Sequence, residues 1–182
     1  MLIRFVLYGS LLIAGFLVST ACSESGSAGP APAPDTRPTQ TTQSGQLHGR
    51  SLVFYAEVDK AGDYFRRMFI DSASAQAVRR TGTLPEGALL VMETWFGRNQ
   101  STVFIRQQRQ GAWLSGSFSP GSPNYTVNLN QSCNNCHQRA AVTELTFTKP
   151  LLLRALQRGE PQTIVCNEPS FTPCDLSVYQ GN

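Results

Sequence analysis

Cys133-Asn134-Asn135-Cys136-His137 constrains this chain more than any other stretch. Two thiols two residues apart, with a histidine directly after them, make the attachment signature of c-type haem. The thiols can add to the two vinyl groups on one edge of the haem. The adjacent imidazole then lies under the iron, where it can bind as the proximal ligand. Two other readings of the dithiol are open. A zinc site would need further Cys or His at short spacing, and Cys166 and Cys174 are too widely spaced for the usual knuckle. A thioredoxin-like dithiol opens a helix early in a β-α-β pattern, and that pattern is absent here.

The remaining cysteines sort by compartment. Met1-Leu2-Ile3-Arg4 precedes an apolar run from Phe5 to Ala21. This has the charged and apolar regions of a secretory signal. The run ends Leu17-Val18-Ser19-Thr20-Ala21-Cys22. Small residues before a cysteine resemble a bacterial lipoprotein cleavage site. Residues 1–21 are therefore read as a signal peptide and Cys22 as a lipid-bearing N-terminus. This puts the protein on the periplasmic side of a bacterial membrane, held there by its lipid. An uncleaved anchor, near the lower length limit for a span, and a plain signal cut nearby are the other readings. Cys166 and Cys174 remain. An oxidising compartment favours a disulfide between them over two free thiols. Closing so short a loop adds ~2–3 kcal/mol in the chain-entropy model.

Residues 22–47 consist mainly of Ser, Gly, Ala, Pro, Thr and Gln, with Pro30, Pro32 and Pro34 alternating with Ala. Such a segment cannot bury a core and reads as a disordered, extended tether. Residues 48–182 are enough for one domain with a single core and one cofactor. The formal net charge is +3 and is not gathered in a run. No basic stripe carries interleaved aromatics, so no nucleic-acid partner is expected.

Within the domain, Phe65–Ile70 reads as a short strand, and Asp71-Ser72 can cap a helix ending near Thr81-Gly82. Leu84-Pro85-Glu86-Gly87 is a turn, and Ala88–Phe96 is the strongest strand candidate. Gly97–Gln100 breaks it. Ser101–Gln107 and Ala112–Phe118 read as a hairpin around the turn Gln110-Gly111. A Gly/Pro loop spans Ser119–Asn124. The Cys-x-x-Cys-His motif follows, in a short helix, and Leu151–Leu156 is a further helical stretch.

The motif lies late in the chain, whereas small all-helical cytochromes carry it early and follow it with a Met ligand. The only methionines here are Met1, Met68 and Met92, all before His137, and the only other histidine is His48. From Asp63 to Thr148 the chain instead resembles the cytochrome P-460 family, which includes the beta-sheet cytochromes c-prime. The resemblance rests on Phe65-Arg66-Arg67-Met68 with the small-residue helix after it, and on Leu84-Pro85-Glu86-Gly87 running into Val91-Met92-Glu93. Trp113-Leu114-Ser115-Gly116, the late Cys-x-x-Cys-His and Thr146-Phe147-Thr148 complete it.

The resemblance implies an α+β fold, an antiparallel sheet with flanking helices enclosing one c-type haem. Cys133, Cys136 and His137 would hold the haem, with His137 on the iron and the other side open or weakly occupied. Dimers are usual in that family. Its known activities are oxidation of hydroxylamine and binding of nitric oxide or other small gases. The implied partners are a small gas or nitrogen-oxide ligand and a redox protein. The oxidising members carry a lysine cross-linked to haem from the Pro-x-Gly strand. This chain has Met92 in that strand and no lysine; Lys60 and Lys149 lie elsewhere. A thioether cannot form the same amine-to-porphyrin bond.

Met68 and Met92 are expected in core packing. For Met92 the sharper alternative is a distal thioether ligand, which would favour electron transfer. Trp95, Phe96 and Trp113 are expected in the core, or as a wall of rings beside the iron. Glu93 is expected at the surface or in a salt bridge, and His48 in a solvated loop. The tether reading gives a direct test. Cys22→Ser should release the protein from membranes while leaving the haem domain folded. A mutant that stays membrane-bound in fractionation identifies residues 5–21 as an uncleaved helix instead.

Overall fold

The computed structural model describes residues 46–47, 50–122, 124–168 and 171–181. The signal segment, Cys22, most of the tether and His48 lie outside them.

Six strands follow one another in space in their chain order: β1 (Gln46–Leu47), β2 (Arg50–Lys60), β3 (Tyr64–Asp71), β4 (Leu89–Phe96), β5 (Asn99–Arg109) and β6 (Ala112–Phe118). Each pairs antiparallel with the next. A last strand, β7 (Gln162–Cys166), returns to β2 and pairs with it parallel. The helices are α1 (Ser72–Thr81), α2 (Gln131–His137), α3 (Lys149–Arg158) and α4 (Leu176–Gln180), with a 3₁₀ turn at Gln138–Thr143. The fold is α+β, an essentially antiparallel sheet with flanking helices, and β7 is its parallel addition.

Local chemistry explains the boundaries. Asp71 ends β3 and caps α1: its Oδ1 accepts from the Ser74 amide at 3.0 Å. Its Oδ2 accepts from the Leu89 amide at 2.9 Å, tying the start of β4 to the same carboxylate. Gly82, at φ 73°, closes α1 with its amide on the Val78 carbonyl. The Gly97–Gln100 break shrinks to a two-residue turn, because Phe96 already pairs with Asn99 and β5 starts there.

β2 escaped the sequence reading for a physical reason. A bulge between Phe54 and Ala56 slips its register. Before it, Leu52 and Phe54 pack with Phe69 on one face; after it, Ala56 and Val58 join the opposite core with Tyr55. The period-2 pattern therefore breaks in mid-strand.

One core lies between the sheet and the helices. It includes Val58, Met68, Ile70, Val78, Leu151 and Leu152. The other lies on the far face, around Phe69, Leu89, Val91, Val103, Ile105 and Phe118. β3 is buried along its whole length. Two expectations need correction. Phe96, at the β4 turn, is 62 % exposed and outside the core. Glu93 is not at the surface: it is 0 % exposed, and the Trp95 indole N–H donates to its Oε2 at 3.0 Å. It sits inward because far-face positions of a central strand are buried too.

The segment after β6 carries the chain to α2. Ser115 and Asn128 exchange amide hydrogen bonds of 2.8 and 3.1 Å across this approach. Gly116 permits it: a Cβ there would lie 2.4 Å from the Thr126 carbonyl oxygen. Gly116→Ala should therefore push this segment away and cost ~1–3 kcal/mol, measured by denaturant unfolding. Wild-type stability would show that the approach relaxes without cost.

Candidate functional site

α2 begins with Asn130, whose side-chain oxygen accepts from the Cys133 amide at 3.0 Å. One turn later comes Cys136, so the two thiols share a helix face. Cys133 is half-buried, Cys136 is exposed, and both are free. Both line a cavity of about 490 Å³ between α2 and the inner face of the sheet, within the range of small-molecule and cofactor sites. Cys166 and Cys174 are joined in a disulfide, their Cα atoms 6.0 Å apart. Among the described residues no three His, Cys, Asp or Glu side chains come together as a zinc site requires.

His137 ends α2 and lines the same cavity. Its Nδ1 lies 2.7 Å from the Leu145 carbonyl oxygen. A carbonyl only accepts, so this bond needs the tautomer with the proton on Nδ1. The lone pair is then left on Nε2, the arrangement that metal-bound histidines commonly show. Arg106 Nη1 donates to the same Leu145 oxygen at 2.6 Å and also sits 2.8 Å from Nδ1, where it could donate only to the other tautomer, so the two donors compete for this corner. Burial first, and the Arg106 guanidinium second, lower the His137 pKa to about 4 against the pull of the Leu145 carbonyl. The imidazole is thus neutral at neutral pH, as a metal ligand must be. The Phe147 ring, 5.4 Å away and tilted by 58°, bounds its other side.

Arg106 is held on several sides. Its guanidinium lies over the Trp113 ring at 4.7 Å and reaches Asn134 Oδ1 at 3.4 Å. Leu145 is aimed by unusual backbone: Glu144 and Leu145 have φ of 56° and 57°, a region that ordinary L-residues avoid. Side chains hold that conformation. The Trp113 indole donates to the Glu144 carbonyl at 3.2 Å. The Glu144 carboxylate accepts from the Leu84 amide at 2.8 Å and pairs with Lys149.

The sheet supplies the opposite wall. Met68 faces Met92, and Met92 faces Phe104, so three strands lay an apolar row across the cavity. Met68 also belongs to the buried core, and Met92 packs against it. Trp95 is buried on the far face, stacked on Phe65 at 5.8 Å, and Trp113 is buried under Arg106. Neither Trp95 nor Trp113 lines the cavity, nor does Phe96. Two residues of the lining, Tyr64 and Ser115, have buried hydroxyls with no hydrogen-bond partner among the described residues.

Sequence reasoning found the two thiols and the imidazole but missed Arg106, Leu145, Tyr64 and Arg66. In the Ser101–Gln107 strand Arg106 alternates with Val103 and Ile105, a pattern that by itself implies a solvent-facing side chain. Here both sheet faces are covered, so the polar side of the alternation points into a cavity. Glu144 and Leu145 carry no local signal at all, since neither is a residue that favours positive φ.

The family model described as Cytochrome P460 matches residues 48–148. No curated protein matches the chain. The family match spans more than half of the chain, runs from just before β2 to the threonine that bonds Tyr55, and takes in α2 with its cysteines and histidine. The chain therefore belongs to the cytochrome P460 family, a family of haem proteins.

Proposed function

We propose that this protein is an exported monohaem c-type cytochrome that binds a small gas such as nitric oxide at an open iron site and passes single electrons. Cys133 and Cys136 would carry the thioether bonds and His137 Nε2 would bind the iron. The carrying observation is that Cys133, Cys136 and His137 line one cavity, with His137 Nδ1 turned to the Leu145 carbonyl, an orientation whose Nδ1–H tautomer would free Nε2 for the iron. The apolar row of Met68, Met92 and Phe104, with the unpartnered Tyr64 hydroxyl at the end away from His137, fits a large, mostly apolar group with a polar edge. Haem, when bound, supplies an iron that takes a diatomic ligand and carries one electron.

The chain's own residues favour gas binding over oxidation of hydroxylamine. Removing hydrogen from such a substrate needs a proton acceptor, and no Asp, Glu or Lys is among the described residues that line the cavity. Tyr55 is no substitute: burial, only partly opposed by its bond to Thr148, holds the phenol protonated. Met92 occupies the strand position of the cross-linking lysine, so a porphyrin–amine bond is not available there. The lipid on Cys22 would hold the protein at the periplasmic face of a membrane, within reach of a redox partner.

Maturation with a c-haem attachment system tests the assignment. The wild type should stain for haem after denaturation and give an ordinary c-type haemochrome. Replacing both Cys133 and Cys136 by Ala should abolish the stain; stain that survives refutes covalent attachment. The reduced protein should be high-spin and take nitric oxide or carbon monoxide readily. A low-spin resting spectrum that Met92→Ala abolishes would establish a thioether ligand and an electron carrier. A red-shifted haemochrome would establish a cross-linked porphyrin and make hydroxylamine oxidation the better reading.

Arg106→Leu should preserve the stain but change the iron–imidazole stretching band of the reduced protein. The imidazole would lose its neighbouring cation while Nδ1 keeps the Leu145 carbonyl. An unchanged band would remove Arg106 from this role.

A further inference from the structure

The cavity has a second polar end, remote from His137. On β4, Leu90 lies opposite Arg106, while Thr94 lies opposite Arg66. Leu90 and Thr94 are four residues apart on one strand face, so the two arginine rows are about 13 Å apart along the sheet, at about 3.3 Å per residue. Met68, Met92 and Phe104 fill the interval. At the far end Arg66 is 6 % exposed, with its guanidinium over the Tyr64 ring at 5.7 Å. Tyr64 is equally buried, and its hydroxyl has no partner among the described residues.

Positive charge gathers around this end. Lys60 is 3 % exposed, with its ammonium donating to the Thr172 carbonyl. Burial and the Arg66 charge lower its pKa to about 8, against the opposing pull of Glu168. No Asp or Glu is among the described lining residues. A buried hydroxyl without an acceptor is costly, and the guanidinium beside it favours an acceptor that is an anion.

We propose that Arg66 and Tyr64 form an oxyanion-accepting end of the cavity, binding a carboxylate or similarly small oxyanion through the guanidinium and the phenolic O–H. The inference rests on the haem reading for one of its two sources. Haem carries carboxylates of its own, on the edge away from the vinyl groups. A free oxyanion is the other source.

The test uses the full haem-loaded chain and the variants Tyr64→Phe, Arg66→Gln and Arg66→Lys. The reduction potential is measured against pH, and sodium nitrite is titrated against the visible spectrum. If haem supplies the anion, the pH at which the potential bends should rise by about one unit in Arg66→Gln, since the cation no longer holds the carboxylate ionised. The rise should be smaller in Tyr64→Phe, Arg66→Lys should keep the bend near its wild-type pH, and the nitrite titration, which then reads only the open iron, should be the same in the wild type and every variant. If the anion is free, the wild type should show a saturable nitrite response, weakened about tenfold in Arg66→Gln, with an unchanged pH profile.

Identical pH profiles and identical nitrite responses in the wild type, Arg66→Gln and Tyr64→Phe would overturn the proposal. Tyr64→Phe removes one atom and keeps the ring against Phe171, 6.4 Å away, so misfolding of the arginine variant would not leave the question open. Haem stain of the denatured wild type reads the cofactor separately. Its absence would overturn the haem reading and the haem carboxylate with it, whereas its presence without either response overturns this site alone.

Discussion

The carbonyl of Leu145 lies 2.7 Å from Nδ1 of His137 and receives an N–H of Arg106. Through it the end of α2, strand β5 and the loop before α3 meet at one atom. The meeting needs two successive residues at positive φ, each costing roughly 1–2 kcal/mol. Contacts from three other segments offset that cost: Trp113 on the Glu144 carbonyl, Leu84 on its carboxylate, and Lys149 paired with that carboxylate. A loose loop could not orient a ring in this way. Orientation of His137 is therefore a property of the whole sheet-and-loop assembly, although the motif that names it is five residues long.

The sheet also sorts charge. Adjacent residues on a strand face opposite ways, and here adjacent pairs carry different chemistry. Arg66 faces the cavity, while Arg67 faces away, donating to Glu57 at 3.0 Å. Met92 faces the cavity, while Glu93 is buried on the far side with Trp95. The cavity thereby keeps its cations and excludes the carboxylates. A register slip of one residue would reverse both choices, which ties the electrostatics of the site to strand pairing.

Much of this was legible in the chain. α1 with its Asp71 cap, the β5–β6 hairpin and the helix carrying the cysteines follow from turn chemistry and periodicity, because those elements are set by neighbours in sequence. β2 was not legible, since its bulge puts Tyr55 and Ala56 on one face and destroys the alternation. β7 was not either: five residues with only two buried have little signal until β2 is there to pair with. The site divides in the same way. Cys133, Cys136 and His137 are contiguous and readable. Arg106, Tyr64 and Arg66 gain their meaning only when distant strands bring them to one wall.

The parallel pairing of β7 with β2 has a consequence for the order in which the molecule can be assembled. Ala56 pairs with Gln162, so this contact closes only after nearly the whole chain has been made. Closing so long a loop is entropically slow compared with forming the hairpins of β3 to β6. Tyr179 and Pro173, which line the cavity, lie beyond β7. Their side of the chamber is thus finished last, after α2 has been synthesised and has an Asn130 cap to form on. Until then the two thiols face an open trough instead of a closed room, and a bulky flat guest can be seated before the wall is built behind it.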